Sequence, residues 1–534
     1  MELTYIANGK KYIIDQSDNN VIITYSSEGE RHTFTLKANV SVTLLDFTVN
    51  SVATLCEKDL FFLNGYQSWT DTKEFTINET EKDIKSIPKI ITKKFALDKY
   101  GDSHIFGYNK KYLHGYDFFY EKGEKECFIY NLNHTTANLI IRLDKVTKSV
   151  DIISDVEGIK LGAGDKIIIA DYKVFDDYNN GINDFKKQFN VPVKKIFGYT
   201  SWYNYYQNIN EQIILRDLEA LDSRFELFQI DDGYETFVGD WLDVDKNKFP
   251  NGLTDIVKKI KEKGMLAGIW LAPFVAEEKS SLFKNHKDYF VKTQNGYLKC
   301  GGNWSGFYAL DLSNPDARGY IKKCLTHYMD MGFDFFKLDF LYATNAGLYD
   351  GMSRSMATNK YYKFLRECLP GKIILGCGAN IINSYGNFDY LRIGPDVSLS
   401  FDDTIIMRHL HRERISTKVT LKNTIYRSIF SGAFFGNDPD VFLLRDTNIK
   451  LTEKQKEALA IINALFGDVI MTSDNISDYS SKKVELLSKC FDIFKNATDK
   501  KFVTNGDIIG IGYTLNNKVY KLKYNTRTGE LING

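Results

Sequence analysis

The sequence predicts a multidomain α/β plus β protein: an antiparallel β-sandwich, a central (β/α)8 TIM barrel and a small carboxy-terminal β domain. Three observations carry this reading. Short strand-like runs separated by Asn, Asp, Gly and Ser turns fill the chain to about residue 185, with no amphipathic helix before Tyr178. After Val191-Pro192, strand and helix periodicities alternate until eight candidate strands have passed. Strand-like runs return from about Phe502. The expected divisions are 1–185, 186–480 and 481–534.

Within the first part, Val21–Tyr25, His32–Leu36 and Lys166–Ala170 are rich in β-branched and aromatic residues and bounded by turn formers. The barrel strands follow in order: Ile196–Trp202, Phe225–Asp231, Met265–Leu271, the run around Phe335–Asp339, Lys372–Gly376, Tyr390–Ile393, Ala433–Phe435 and Asp468–Met471. Helical spacing covers Glu211–Leu221, Leu253–Lys263 and Asp316–Met331. The stretch Glu277–Leu310 is too long for a simple connection and is expected to fold over the barrel mouth. Ile508–Tyr513 and Val519–Leu522 supply the last strands.

Composition excludes several classes. Among 534 residues, 69 basic and 69 acidic side chains cancel, and no charged block stands out, so neither nucleic acid nor an anionic membrane is an expected partner. No signal core opens the chain, and no apolar run reaches transmembrane length. Seven scattered cysteines suit reduced thiols in a cytoplasm. A homo-oligomer is left open.

Chemistry concentrates where strands end. In Phe336-Lys337-Leu338-Asp339, alternation puts Lys337 and Asp339 on one face, which is costly in a buried strand unless the charges are paired or used. Asp231 and Asp232 close the second strand; they suit a turn cap, a cation or the adjacent hydroxyls of a sugar, although the further oxygen ligands of a cation site are not evident. Trp270, on the third strand, suits either core packing or stacking on a sugar ring. Cys377 and Gly378 end the fifth strand, small enough for a ligand to approach the backbone. Arg392 shares the inward face of the sixth strand, and Gly394-Pro395 turns Asp396 outward. Asp339 and Asp396 on separate strands, with aromatic walls, provide the pair that glycosidic cleavage requires. An isomerase or lyase pair, or a Schiff-base Lys337, uses the same residues differently.

Motif order narrows these choices. The chain resembles the shorter bacterial α-galactosidases of glycoside hydrolase family 36, from Asn64-Gly65-Tyr66-Gln67-Ser68-Trp69 to about Asp478. The matching motifs are Ser201-Trp202-Tyr203, Gln229–Tyr234, Gly268–Phe274, Tyr308–Asp311, Phe336–Phe340, Gly376–Gly378, Arg392–Asp396 and Asn437–Asp440. The resemblance implies a β-supersandwich, a catalytic (β/α)8 barrel and an antiparallel carboxy-terminal domain. It implies Asp339 as nucleophile and Asp396 as acid/base, with Asp231 and Asp232 on O4 and O6 of galactose. Lys337 and Arg392 are implied as ligands of ring hydroxyls, Trp69, Trp202 and Trp270 as apolar walls, and Cys377 and Gly378 as neighbours of the 2-substituent. No metal and no organic cofactor are implied. The expected reaction is retaining hydrolysis of small galactosides such as melibiose or raffinose-type sugars. An α-N-acetylgalactosaminidase or galactosyl transferase fits the same framework; a barrel aldolase or a non-catalytic sugar-binding protein stands outside it.

Overall fold

The computed structural model describes residues 1–347, 349–404, 408 and 411–533. Alternating apolar residues build the sandwich from two seven-stranded sheets. In one of them, Val21–Glu28, Arg31–Ala38 and Lys166–Phe175 pair antiparallel in that order, where strand-like runs were expected. Between the sheets, Tyr5, Phe47, Leu139 and Ile152 of one meet Leu36, Phe119, Ile129 and Ile169 of the other, all buried. The helix Tyr178–Gln188 straddles the proposed boundary at 185 and lies on the second sheet, with Gly181 tight against Phe128.

The region is not all strand, although no amphipathic helix precedes Tyr178 among the described residues. Two short helices, α1 (Lys89–Phe95) and α2 (Leu97–Tyr100), precede Tyr178. Seven residues are too few for a periodic apolar face, and α1 buries no residue, so the pattern that reveals amphipathic helices is missing. The two are separated by Ala96, whose left-handed φ of 51° breaks the helix.

The barrel strands are β1 (Ile196–Thr200), β2 (Leu227–Ile230), β3 (Leu266–Leu271), β4 (Phe335–Leu338), β5 (Ile373–Gly376), β6 (Tyr390–Arg392), β7 (Gly436–Asp438) and β8 (Val469–Thr472). They pair in parallel from β1 through to β7, and β8 pairs back onto β1. The ring closes through a broken strand. After β7 the chain turns at Pro439-Asp440, and Val441–Phe442 then pairs with β8. Asp440 pays for that break with a φ of 73°, uncommon outside glycine.

The seventh strand lies three residues beyond the expected Ala433–Phe435. That apolar run was read as a strand, but it belongs to the seam between sandwich and barrel. Phe434 packs on Phe185 and Phe189 at 5.1 and 4.9 Å between ring centres, and Phe430 on Phe118 at 5.2 Å. Helices Glu211–Ala220, Thr254–Glu262 and Pro315–Met331 follow their strands. The last has Asn314 as N-cap, Pro315 in its first turn and Gly332 as left-handed stop, the signals that delimit a helix in sequence. Helix Ser481–Asn496 lies against helix Glu453–Phe466, and a four-stranded antiparallel sheet, Thr498 to Asn533, ends the chain. Among the described residues, no helix is long and apolar enough to cross a membrane.

A second contact between the first two parts is polar. Loop 64–72 leaves the sandwich and crosses the barrel mouth, where buried Arg427 grips it. The guanidinium donates to the carbonyls of Ser68 at 2.6 Å, Gln67 at 3.1 Å and Ile393 at 2.8 Å. Beside it, His114 is wholly buried between Asp102 (Nε2 to Oδ2, 2.6 Å) and Glu81 (Nδ1 to Oε2, 2.5 Å). Burial opposes its charge, but the two carboxylates overcome this and push it up to about 9. A raised cation contributes stability that is fully present below pH ~6.5 and is lost as pH rises through the folded value. Relative to His114→Gln, the native chain should therefore lose on the order of 3 kcal/mol of its advantage between about pH 6.5 and 9.5. Urea unfolding at a series of pH values reads this; a constant difference across the range would mean that His114 is uncharged.

Candidate active site

At the carboxyl end of β4, Lys337 and Asp339 are 4% and 8% exposed. Lys337 Nζ donates to Asp231 Oδ2 at 2.9 Å. The same oxygen receives Gln229 Nε2 at 2.7 Å and Thr200 Oγ1 at 3.2 Å, while Oδ1 receives the Asp232 amide at 2.9 Å. Burial opposes the ammonium, but Asp231 and Asp339 hold it above its ordinary value. A Schiff base needs the neutral amine, so this environment works against that chemistry.

Asp339 accepts two hydrogen bonds, from Trp270 Nε1 at 3.1 Å and from the Phe340 amide at 2.7 Å. Phe340 has a φ of 55°, a costly conformation for a bulky residue. Trp270 is 2% exposed and meets Trp241 and Trp304 edge to face. Its indole is thus a donor to Asp339, and the ring lies outside the cavity lining.

Asp396 stands in a different field. Its side chain is 34% exposed and its Oδ1 accepts from Arg392 Nη1 at 3.1 Å. Burial pushes its carboxyl up, Arg392 and Lys337 pull it down and Asp339 pushes it up again, and the net direction is upward. Arg392 is itself enclosed. Nε donates to Asp438 Oδ2 at 2.8 Å and Nη2 pairs with Asp440 Oδ1 at 2.8 Å. Asp440 also accepts from the Tyr203 hydroxyl and, at 2.7 Å, from the Val397 amide beside Asp396. Its carboxyl is pushed up to about 7, chiefly by burial and against the pull of Arg392.

Asp232 is read from the other side. Trp304, carried on the excursion expected over the mouth, donates Nε1 to its Oδ2 at 2.9 Å, and Gln207 donates to its Oδ1 at 3.1 Å. Trp304 adopts a φ of 52° to reach it. Next to Asp232, Glu235 is pushed well above its ordinary value by burial and by the Asp232 charge. Among the described residues no group of three or more His, Cys, Asp or Glu is placed to hold a metal ion.

A cavity of about 870 Å³ opens onto Asp339 and Asp396, and Trp69 and Tyr100 from the amino-terminal part line it with Phe340. Trp69 thus reaches the mouth within its own chain. Gly378 is required there: its φ is 59°, and a Cβ would lie 2.9 Å from the Trp69 ring. Cys377 is buried, which pushes its thiol well above the usual range. Trp202 is half-buried edge-on to Tyr206 at 5.1 Å and lies outside the cavity wall.

Sequence reasoning missed Trp304, Gln207, Glu235, Tyr203, Asp438 and Asp440 as site residues. The last two sit in Asn437-Asp438-Pro439-Asp440, a motif that carried the resemblance without a role. A proline between two acids in a strand region signals a break, and a break exposes side chains to the mouth. Trp304 had no such signal.

This architecture is shared with solved structures of family 36 α-galactosidases. The structure of TtGalA, an α-galactosidase from Thermus thermophilus in complex with p-nitrophenyl α-D-galactopyranoside, superposes with a TM-score of 0.71 at 20% identity, covering 97% of this chain and 98% of that one. AgaA from Geobacillus stearothermophilus gives 0.64 at 12% identity, covering 95% and 73%. Residues 180–365 match the family described as Melibiase. In sequence, an Escherichia coli α-galactosidase is 31% identical over 183 residues, 32% of this chain and 25% of its own length. The α-xylosidase XylQ of Lactiplantibacillus pentosus is 29% identical over 184 residues, 32% and 24% respectively. The matches thus span about a quarter of the length of these curated relatives.

Arg392→Met should show how the site is held. It strands Asp438 and Asp440 without a counter-charge, and breaking a buried pair in this way costs roughly 3–5 kcal/mol. The urea midpoint should fall accordingly; an unchanged midpoint would mean that the three carboxylates do not depend on Arg392.

Proposed function

We propose that the chain is a retaining α-galactosidase that releases terminal α-D-galactose from small galactosides, such as melibiose and raffinose-type sugars, by double displacement. The observation that carries this reading is the asymmetry of two carboxylates around one cavity. Asp339 accepts hydrogen bonds from the Trp270 indole and the Phe340 amide, whereas Asp396 is paired with Arg392 and its carboxyl is raised by burial. In this reading Asp339 Oδ attacks the anomeric carbon as Asp396 gives its proton to the departing oxygen, and the galactosyl ester on Asp339 forms with inversion. Asp396, now ionised, takes a proton from water, which attacks the same carbon and restores the α configuration. Asp231 with Lys337, and Asp232 with Trp304, present acceptors and donors for O4 and O6; such bonds to charged groups are worth roughly 1.5–3 kcal/mol each. Arg392 acts by positioning Asp396, and Cys377 and Gly378 border the 2-substituent. No metal and no organic cofactor takes part. Further support comes from the ligands of similar structures: stachyose in TtGalA and raffinose in an AgaA variant.

A panel of nitrophenyl glycosides that includes α-galactoside, α-glucoside, α-xyloside and α-N-acetylgalactosaminide tests anomer, O4 and 2-substituent together. The α-galactoside should be preferred; preference for the N-acetyl sugar would make the chain an α-N-acetylgalactosaminidase. Asp232→Ala should erode the galactoside-over-glucoside preference, and equal losses on both would remove the O4 assignment.

Azide separates the two acids. Asp339→Gly should be inactive on every substrate until azide enters from the vacated face and yields β-galactosyl azide. Asp396→Gly should still form the galactosyl ester from a nitrophenyl donor, and azide should intercept it as the α-azide. Hydrolysis of melibiose, whose leaving group needs the proton, should fall about 10²–10⁴-fold in Asp396→Gly. Swapped azide anomers would exchange the roles.

A further inference from the structure

The cavity that reaches both carboxylates continues outward into a region the hydrolytic chemistry does not use. Its outer wall consists of Ile87, Pro88, Ile91, Phe95 and Leu97, from α1, α2 and the turn before them, together with Ile415. Ile91, Phe95 and Ile415 are 42%, 41% and 57% exposed, so a bound group can still withdraw apolar surface from water there. The side chains around the galactose ring, Asp231, Lys337 and Arg392, are not on this wall. Asp339 and Asp396 mark its inner end, so what it receives is the group leaving from the anomeric carbon.

On these six side chains the hydroxyls of a second sugar would find no partner. Isoleucine, proline, leucine and phenylalanine offer no partner to hydroxyls, and each hydroxyl buried without one is penalised. Apart from Asn303, polar groups of the wall come from Asp403, His411, Glu413 and Arg414. There Glu413 already accepts the Thr70 hydroxyl at 3.0 Å and Arg414 donates to Asp402 at 3.1 Å, whereas Nε and Nη1 of Arg414, both ring nitrogens of His411 and Nε1 of Trp69 are buried without a hydrogen-bond partner among the described residues. His411 is buried and pushed down to about 4, so it presents a neutral ring.

Resting on the galactosidase reading above, we propose that the leaving-group side of this site includes an apolar subsite for an alkyl aglycone, and that long-chain alkyl α-galactosides are preferred over methyl galactoside. Specificity on this side is supplied by α1 and α2, elements of the amino-terminal part and not of the barrel.

Methyl and octyl α-galactoside test this because both leave as alkanols with the same need for a proton, so only contacts differ. Octyl should exceed methyl in kcat/KM by at least about 15-fold, the gain from fully burying two methylenes at roughly fourfold each. Ile91→Asp and Phe95→Ser change exposed side chains outside the catalytic machinery; each should return the octyl-to-methyl ratio toward one and leave methyl galactoside unchanged. A ratio near one in the native chain, or a high ratio that survives both substitutions, overturns the proposal. So does a uniform loss on all substrates accompanied by dissociation of an oligomer in light scattering, which would make α1 a contact between copies. Fluorescence titration with octyl and methyl α-thiogalactosides, which resist hydrolysis, keeps the two readings apart. Tighter octyl binding, lost in Ile91→Asp, with no turnover of any galactoside leaves the apolar subsite standing and removes the hydrolase. Equal or absent binding of both removes the subsite whatever the turnover.

Discussion

A guanidinium with three carboxylates is the arrangement on which the rest of this molecule depends. Arg392 sits at the end of β6 and binds Asp438 at the end of β7, Asp440 past the break, and Asp396 on the loop leaving β6. Desolvating such a group is expensive, and the cost is offset only because nearly every face of the guanidinium finds an anion. The same contacts close the barrel and orient one of the two cavity carboxylates. Closure and chemistry therefore share their electrostatics, which is why the strand that completes the ring is also the one that is broken.

Backbone strain follows the same logic. Asp440, Phe340 and Trp304 all adopt left-handed conformations that non-glycine residues avoid, and each delivers one polar group to the mouth. Asp440 sends its carboxylate to Arg392, Phe340 its amide to Asp339, and Trp304 its indole to Asp232. Their cost is borne by dense packing: the aromatic seam of Phe118, Phe185, Phe189, Phe430 and Phe434 fixes the barrel against the sandwich.

The amino-terminal part is more than a support. Its loop 64–72, held by Arg427, places Trp69 against Gly378, and Tyr100 at the end of α2 joins it on the cavity wall. The galactose side of the proposed site is a barrel property, whereas the leaving-group side is assembled across two parts of the chain.

Periodicity in the sequence was enough to determine the order and class of most elements. Buried parallel strands read as apolar runs, long helices as 3.6-residue patterns with Asn314, Pro315 and Gly332 as punctuation, and sandwich strands as alternation between turns. The pairing of Lys337 with a charge on the same barrel was implicit in a buried strand that carries one. What periodicity does not encode is long-range geometry. Ala433-Phe434-Phe435 has the composition of a strand, and only the sandwich packed against it makes it a seam. Short α1 has no buried face to announce it. Trp304 and Asp232 are 72 positions apart in the chain, and Arg427 and Ser68 are 359 apart. Such partners meet because the tertiary fold brings them together, and no local preference of either residue records the meeting.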